Sequence, residues 1–298
     1  MKLKHLLLTL ILGLFAVSMP AEERGSGKAT VIVDYFYAGS HVSRNDYGWI
    51  DMLRNDIIKE LIGTGRVSVV DAASVSDLNY IPQGYNENSV TSRLRTLKSH
   101  GGRYVVLGDI EYVDIQRINT TNSRAVRSRD NSNNVYDARI GYNLRLIDIA
   151  TGEILGQTIA DPKDGSVRMS TPEKSMESVT GRAATEMRRI LIDGIAITGQ
   201  MLQVLDTKVK KGVEEAKTVA LNVGSDNGAA AGVKFDVFTT RYIAGHKVSD
   251  KIGKVKITEV KGSDISYAIV KDGGSKILEA MRNGDKLTIK SSKAGFWD

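Results

Sequence analysis

Residues 136–149 alternate between polar and apolar side chains, and this alternation limits the possible folds more than any other feature of the sequence. The apolar set is Ala138, Ile140, Tyr142, Leu144 and Leu146, and the residues between them are Arg139, Gly141, Asn143 and Arg145. A period of two predicts a β-strand with one buried and one wet face. A tight turn at 150–153 then leads into a second apolar segment at 154–159, which predicts an antiparallel hairpin.

The segments around this hairpin alternate between strand and helix patterns. Strands are predicted at 28–36, 66–70 and 104–113, and helices at 46–62 and 89–99. A longer helix is predicted to begin at Thr171, because Thr171 is a suitable N-cap and Pro172 suits the first turn. This pattern therefore predicts an α/β (α+β) domain in the N-terminal part, to which we assign residues 22–200.

From about Gln200 onward the sequence changes character. Short apolar segments at 217–223, 234–242, 252–260, 264–271 and 285–290 are separated by turns rich in Gly and Asp. This spacing predicts a small all-β, barrel-like C-terminal domain, to which we assign residues 201–298. The boundary is expected near 198–212, with residues 208–212 as a solvated corner.

The first 21 residues resemble a secretory signal peptide. Lys2 and Lys4 precede a twelve-residue apolar run, Leu6–Val17, and small residues surround a cleavage site expected after Ala21. The run is too short to span a membrane, which takes about 20 residues. We therefore expect an exported protein of the periplasm, peripheral to the outer membrane. The chain has no Cys, so we expect neither disulfides nor a lipid anchor.

The chemistry-bearing residues form no catalytic, cofactor or metal motif. His41, His100 and His246 are scattered, and no phosphate loop, dinucleotide loop or nucleophile elbow is present. The formal net charge of +6 comes without interleaved basic and aromatic residues, so nucleic acid is not an expected partner. We expect no enzyme activity, cofactor, metal or small-molecule substrate. The alternative is a hydrolase that uses Asp109 and Glu111, two residues apart on one strand.

Two segments resemble the curli production assembly/transport family. They are Gly102–Ile110 (GRYVVLGDI) and Asn143–Leu155 (NLRLIDIATGEIL), whose Thr-Gly-Glu turn is the more specific feature. The opening strand, the helix after it and residues 66–71 follow the same order, so the resemblance covers roughly residues 28–198. It implies a curli-assembly fold, related to the amino-terminal domain of translocation protein B and to lipoprotein activators of penicillin-binding proteins.

The C-terminal part resembles a different module. Gly228–Phe238 (GAAAGVKFDVF), Ile252–Val260 (IGKVKITEV) and Asn283–Leu287 (NGDKL) look like the β-domain of flagellar assembly protein T. Both resemblances imply a protein that takes part in assembling structures of the cell envelope. Neither implies a catalytic residue.

In curli-type channels, two amphipathic hairpins inserted in the α/β domain form an outer-membrane pore. The matching segments here, 119–134 and 160–170, are short and polar, and Arg at a lipid-facing midplane costs about 2–4 kcal/mol. We therefore expect a non-enzymatic assembly or secretion accessory that binds other envelope proteins and can form a homo-oligomer. The alternatives are an oligomeric secretion channel, an envelope hydrolase, and an activator of a cell-wall synthase. Residues 117–129 are expected to form a long polar loop that is rich in arginine. This loop is a candidate docking site for a partner, through Arg117, Arg124, Arg127 and Arg129.

Overall fold

The computed structural model describes residues 28–78, 87–119, 134–160, 167–243 and 246–293. In these residues the chain forms an open mixed sheet with helices on both faces, followed by a closed barrel of six strands. The predicted order of an α+β part followed by a barrel-like β part is confirmed. Across the same residues, no helix is both long and apolar enough to cross a membrane.

The elements of the open-sheet part are β1 (Thr30–Ala38), α1 (Tyr47–Gly63), β2 (Ser68–Asp71), α2 (Glu87–Ser99), β3 (Tyr104–Asn119), β4 (Asn134–Asp148), β5 (Ile154–Ala160), β6 (Val167–Met169) and α3 (Pro172–Gly194). The open sheet has the strand order β2-β1-β3-β4-β5, and the short β6 also pairs with β4. Strand β1 is parallel to β2 and β3, and the pairs β3–β4, β4–β5 and β4–β6 are antiparallel.

Helices α1 and α3 cover one face of this sheet, and α2 covers part of the other. Leu53 and Ile57 of α1 share a core with Met187 of α3 and with the apolar face of β4. On the second face, Leu97 of α2 packs in a smaller core with strand residues of β1, β3 and β4. Helix α3 begins as predicted, since the Thr171 side chain accepts a hydrogen bond from the Lys174 backbone N–H at 3.2 Å.

A buried ion pair joins β1 to α2. Asp34 is fully buried and Arg93 is 4% exposed. Arg93 donates two hydrogen bonds to the Asp34 carboxylate, from Nε at 2.8 Å and from Nη2 at 2.5 Å. Arg54 of α1 donates to the Asp34 backbone carbonyl at 3.0 Å and forms an ion pair with Asp71 of β2. The network fixes both helices to the parallel end of the sheet.

The elements of the barrel part are β7 (Thr198–Lys210), β8 (Val213–Leu221), β9 (Lys234–Ile243), β10 (His246–Val260), β11 (Ser266–Asp272), α4 (Gly274–Arg282) and β12 (Leu287–Ser291). The barrel closes in the order β10-β11-β8-β7-β12-β9. Phe235, Val255 and Ile257 lie in its core, together with Ile277 of α4. Closure pairs every strand of the barrel on both sides, so the barrel has no open edge.

Three elements were absent from the sequence-based prediction: β6, β7 and α4. Strand β7 was obscured because its register with β8 shifts three times, and each shift interrupts the alternation of side chains. Helix α4 has nine residues between Gly273 and Asn283, and those flanking residues are typical of turns. The expected corner at 208–212 is the turn of the β7–β8 hairpin, in which Lys211 and Gly212 both have positive φ.

Candidate functional site

Strand β5 forms one edge of the open sheet. It pairs with β4 on one side, and no strand in the described part of the chain pairs with its other side. Its seven residues include no charge and no proline, the two features that most often protect an edge. Two large apolar side chains, Ile154 and Ile159, are 48% and 59% exposed. The strand therefore presents an unprotected edge.

The turn before β5 holds the strand in a fixed register. The Asp148 side chain accepts hydrogen bonds from the backbone N–H groups of Ala150 at 2.8 Å and Thr151 at 3.1 Å. Gly152 takes a positive φ of 74° and donates its N–H to the Asp148 carbonyl at 2.8 Å. These contacts confirm the predicted hairpin, and they define where the edge begins.

Helix α3 supports β5 from the apolar face of the sheet. A Cβ added at Gly156 would lie 2.7 Å from a methyl carbon of Ile190, so the backbone of β5 and the helix are in close contact. A Cβ at Gly194 would similarly lie 3.1 Å from the Cβ of Leu155. The edge strand is packed against a 23-residue helix, and its backbone is therefore held in place.

A polar patch lies beside β5 on the face of the sheet opposite α3. In the register of the sheet, Asn143 is opposite Ile159 and Arg145 is opposite Gln157. The Asn143 Oδ1 atom is buried and has no hydrogen-bond partner among the residues that the structure describes. A buried acceptor without a donor is energetically costly.

The candidate acid pair of the hydrolase alternative lies next to this patch. Asp109 accepts a hydrogen bond from Arg145 Nη2 at 2.5 Å. Burial raises the pKa of Asp109, and the neighbouring Arg145 opposes that shift. Glu111 lies at a register shift between β3 and β4 and is exposed. The structure thus engages Asp109 in an ion pair that joins β3 to β4.

The structure describes only one of the four arginines of the docking prediction. Arg117 lies near the end of β3, opposite Tyr136 of β4, and its side chain is exposed. Arg124, Arg127 and Arg129 lie outside the described residues, as do most of the two segments compared with channel hairpins and the signal-like residues 1–21. The docking loop therefore stays a prediction.

The histidines are far apart in the fold. His41 follows β1, His100 follows α2, and His246 begins β10. His100 Nδ1 lies 2.9 Å from the Thr96 carbonyl, which places this ring at the end of its own helix. Among the residues that can be described, no three His, Asp or Glu side chains are grouped as metal ligation requires.

The described residues define a class of protein: a helix-covered α+β sheet with one unprotected edge, joined to a closed six-stranded barrel.

No protein-family model and no curated protein matches the chain. Among solved structures, it is similar to the PelC dodecamer from Paraburkholderia phytofirmans, with 13% identity over 55% of this chain and 89% of that one (TM-score 0.31). Lipoprotein GNA1162 from Neisseria meningitidis shares 12% identity over 53% and 97% of the two chains (TM-score 0.32). The LpoB C-terminal domain from Escherichia coli shares 18% over 51% and 90% (TM-score 0.27). These similarities are too distant to assign a function.

Proposed function

We propose that this protein is a non-enzymatic accessory of the cell envelope, of the curli assembly/transport type, which binds other envelope proteins by strand addition to β5. The observation that supports this proposal is the unprotected edge of β5. The expected export signal and the resemblance of residues 28–198 to the curli family also support a place in the cell envelope. The assignment of 22–200 and 201–298 as two domains, the second of the flagellar assembly protein T kind, belongs to this proposal.

An open edge is a binding surface because its backbone N–H and C=O groups lack strand partners on one side. An extended segment of a partner can satisfy them and extend the sheet, while its side chains contact alternate residues of the edge. The exposed Ile154 and Ile159 provide apolar contacts for such a segment.

The opposite edge of the same sheet is much less suited to strand addition. Strand β2 has only four residues, and it ends at Asp71, which is held in an ion pair by Arg54. Short length and charge are the usual means by which an edge is protected. The difference between the two edges supports β5 as the side on which we propose that a partner binds.

Site-specific photocrosslinking in intact host cells tests the proposal. A photoreactive amino acid at Ile159 should give adducts with one or a few envelope proteins, identified by mass spectrometry. The matched control is Ile62, which is 57% exposed on α1 and lies on no sheet edge. An adduct with a second copy of this chain would indicate a homo-oligomer built on the same edge. Absence of any adduct at Ile159, or the same adducts at Ile62, would refute binding through β5.

Cell fractionation separates the accessory from the channel alternative. An accessory protein should appear in a detergent-free periplasmic extract, whereas a curli-type channel should form heat-modifiable oligomers in the outer-membrane fraction. The variant Ile159→Lys adds a charge to the edge and should abolish the crosslinked complexes without changing the fraction in which the protein appears. Recovery of the chain only as outer-membrane oligomers would contradict the accessory role.

A further inference from the structure

The hairpin of β7 and β8 projects from one end of the barrel. Strand β7 pairs with β12 only through residues 198–200, and β8 pairs with β11 only through residues 218–221. In the described part of the chain, residues 207–216, which we call the β7–β8 ribbon, pair only with each other. Four residues on each strand extend by about 13 Å. The ribbon is therefore a two-stranded arm that reaches beyond the rest of the barrel wall.

The ribbon lies at the end of the barrel away from the open sheet. The open-sheet part meets the barrel at the turn before β9, where a Cβ at Gly228 would overlap with the Arg66 backbone. At that same end, Thr198 of β7 pairs with Lys290 of β12, which pairs with Asp236 of β9. Strand β7 runs from there toward the opposite end. The tip of the ribbon can therefore contact an external surface without a clash with the open-sheet part.

Helix α4 fixes the base of the ribbon. Arg282, the last residue of α4, donates a hydrogen bond from Nη2 to the Glu214 carboxylate at 2.7 Å. At the other end of the helix, a Cβ added at Gly274 would lie 2.9 Å from the Ala216 carbonyl oxygen. Ala216 is fully buried. The arm is therefore held in one direction by its contacts with α4.

The turn of the ribbon places a cation at its outermost point. Lys211 and Gly212 have φ values of 52° and 79°, as the two central residues of a type I′ turn do. Asn, Asp or Gly is the usual residue at the first of these positions, because positive φ is unfavourable for a long side chain. Lys211 is the one residue other than Gly that has a positive φ in the described part of the chain.

Exposed apolar side chains flank this turn on both faces of the ribbon. Val209 is 73% exposed, more than any other large apolar residue in the part of the chain that the structure describes, and Val213 is 52% exposed. Val209 is opposite Glu214 in the register, and Lys210 is opposite Val213. Because paired residues share a face and neighbours alternate, the two valines point to opposite faces.

The positive charge of the tip is not balanced within the ribbon. Glu214 is paired with Arg282, and Glu215 lies 3.9 Å from Lys208 Nζ. The ammonium groups of Lys210 and Lys211 form no ion pair or hydrogen bond with the described residues. Two free cations therefore lie beside two exposed valines.

We propose that the tip of the β7–β8 ribbon docks on an anionic phospholipid surface. Lysines close to such a surface are attracted by its negative potential, and apolar side chains beside them enter the boundary between headgroups and acyl chains. A flat acidic protein surface could neutralise the lysines but could contact only one face of the ribbon. A lipid interface surrounds the tip, so that both Val209 and Val213 leave water.

Docking of this kind is weak and reversible, because a single small apolar insertion does not anchor a protein stably. It is therefore compatible with recovery of the protein in a detergent-free periplasmic extract. The ribbon belongs to the barrel, and this inference does not depend on the β5 edge.

Co-sedimentation with lipid vesicles tests the proposal on the full chain. Wild-type protein should bind vesicles of phosphatidylglycerol and phosphatidylcholine but not of phosphatidylcholine alone, and added salt should weaken this binding. Lys210→Gln/Lys211→Gln should weaken it by about fivefold for each lysine removed. The matched control Lys98→Gln/Lys290→Gln removes the same charge from α2 and β12, and it should bind like wild type. Residues 1–21 are common to all variants, so a difference between variants reports on the ribbon.

An environment-sensitive fluorophore tests whether the tip enters the lipid. The chain has no Cys, so Val209→Cys provides a single attachment point. Its emission should shift to shorter wavelength when the anionic vesicles are added. The control is Ile62→Cys on α1, where the native side chain is 57% exposed, and its emission should not shift.

Three results would overturn the proposal. They are failure of wild type to bind the anionic vesicles, an equal loss of binding in the Lys98→Gln/Lys290→Gln control, and an unshifted label on Val209→Cys in the presence of bound vesicles. A label on Val209→Cys that responds to an acidic envelope protein but not to vesicles would also overturn it, because the ribbon would then dock on protein.

Discussion

The buried pair of Asp34 and Arg93 allows a quantitative test of how the α+β part is held together. The change is Asp34→Ala, which removes the carboxylate and leaves the Arg93 guanidinium buried without its two charge-assisted hydrogen bonds. Arg93 keeps its contact with the Leu78 carbonyl at 2.8 Å, and that contact does not balance a full charge. Breaking a buried ion pair from one side costs about 3–5 kcal/mol.

This cost is a large share of the free energy of unfolding, which is only about 5–15 kcal/mol for a typical folded protein. The double variant Asp34→Leu/Arg93→Met should regain most of the loss, since replacing a whole buried pair with apolar residues of similar volume is often nearly neutral. The exposed pair of Glu186 and Arg189 supplies the control. Glu186→Gln should change stability very little, because solvent screens exposed ion pairs.

Urea unfolding provides the assay, with Trp49 of α1 as the fluorescent probe. The chain has two Trp residues, so Trp297→Phe as the common background makes the signal specific to the α+β part. The free energy of unfolding should fall by about 3–5 kcal/mol in Asp34→Ala. A loss no larger than that of Glu186→Gln would show that the pair does not hold α2 to β1 in the way described.

Two further predictions concern the sheet. Gly141 lies under the ring of Tyr112, so the Cβ of Gly141→Ala would overlap with that ring and should lower the free energy of unfolding by about 1–3 kcal/mol. The control is Gly181→Ala on α3, where the space for a Cβ is open. Because Ala favours a helix more than Gly does, this variant should raise the free energy of unfolding by about 1 kcal/mol. The same urea assay measures both, and equal effects would contradict the close packing at Gly141. Burial raises the pKa of Asp109, so the folded state favours the neutral carboxyl. The stability of wild type relative to Asp109→Asn should therefore fall as pH rises from the ordinary value of 3.8 through the raised pKa, and a difference that stays constant with pH would argue against this shift.

Much of the local structure could be predicted from the sequence. The alternation in 136–149 corresponds to β4, and the second apolar segment corresponds to β5 within one residue of its predicted end. Thr171 caps α3 as its residue type indicates. These predictions succeed because the pattern and the structure both depend on residues a few positions apart.

The candidate site was predicted less completely. The segment 154–159 was recognised as a strand, but its position at an open edge depends on the absence of a second strand beside it, which no local pattern reports. Asp34 lies inside an apolar predicted strand, and a single acid in such a segment is the sequence signal that indicates a buried partner.

By itself, the sequence determined the periodicity of the strands, the helix start at Thr171 and the turn at Asp148, since backbone geometry and neighbouring side chains decide these features. Only the tertiary structure decided that Asp34 meets Arg93, 59 residues away, and that β5 lies at an edge. The physical reason is that burial, pairing and local charge density depend on which distant segments pack together. The energies of those contacts are set by the completed fold.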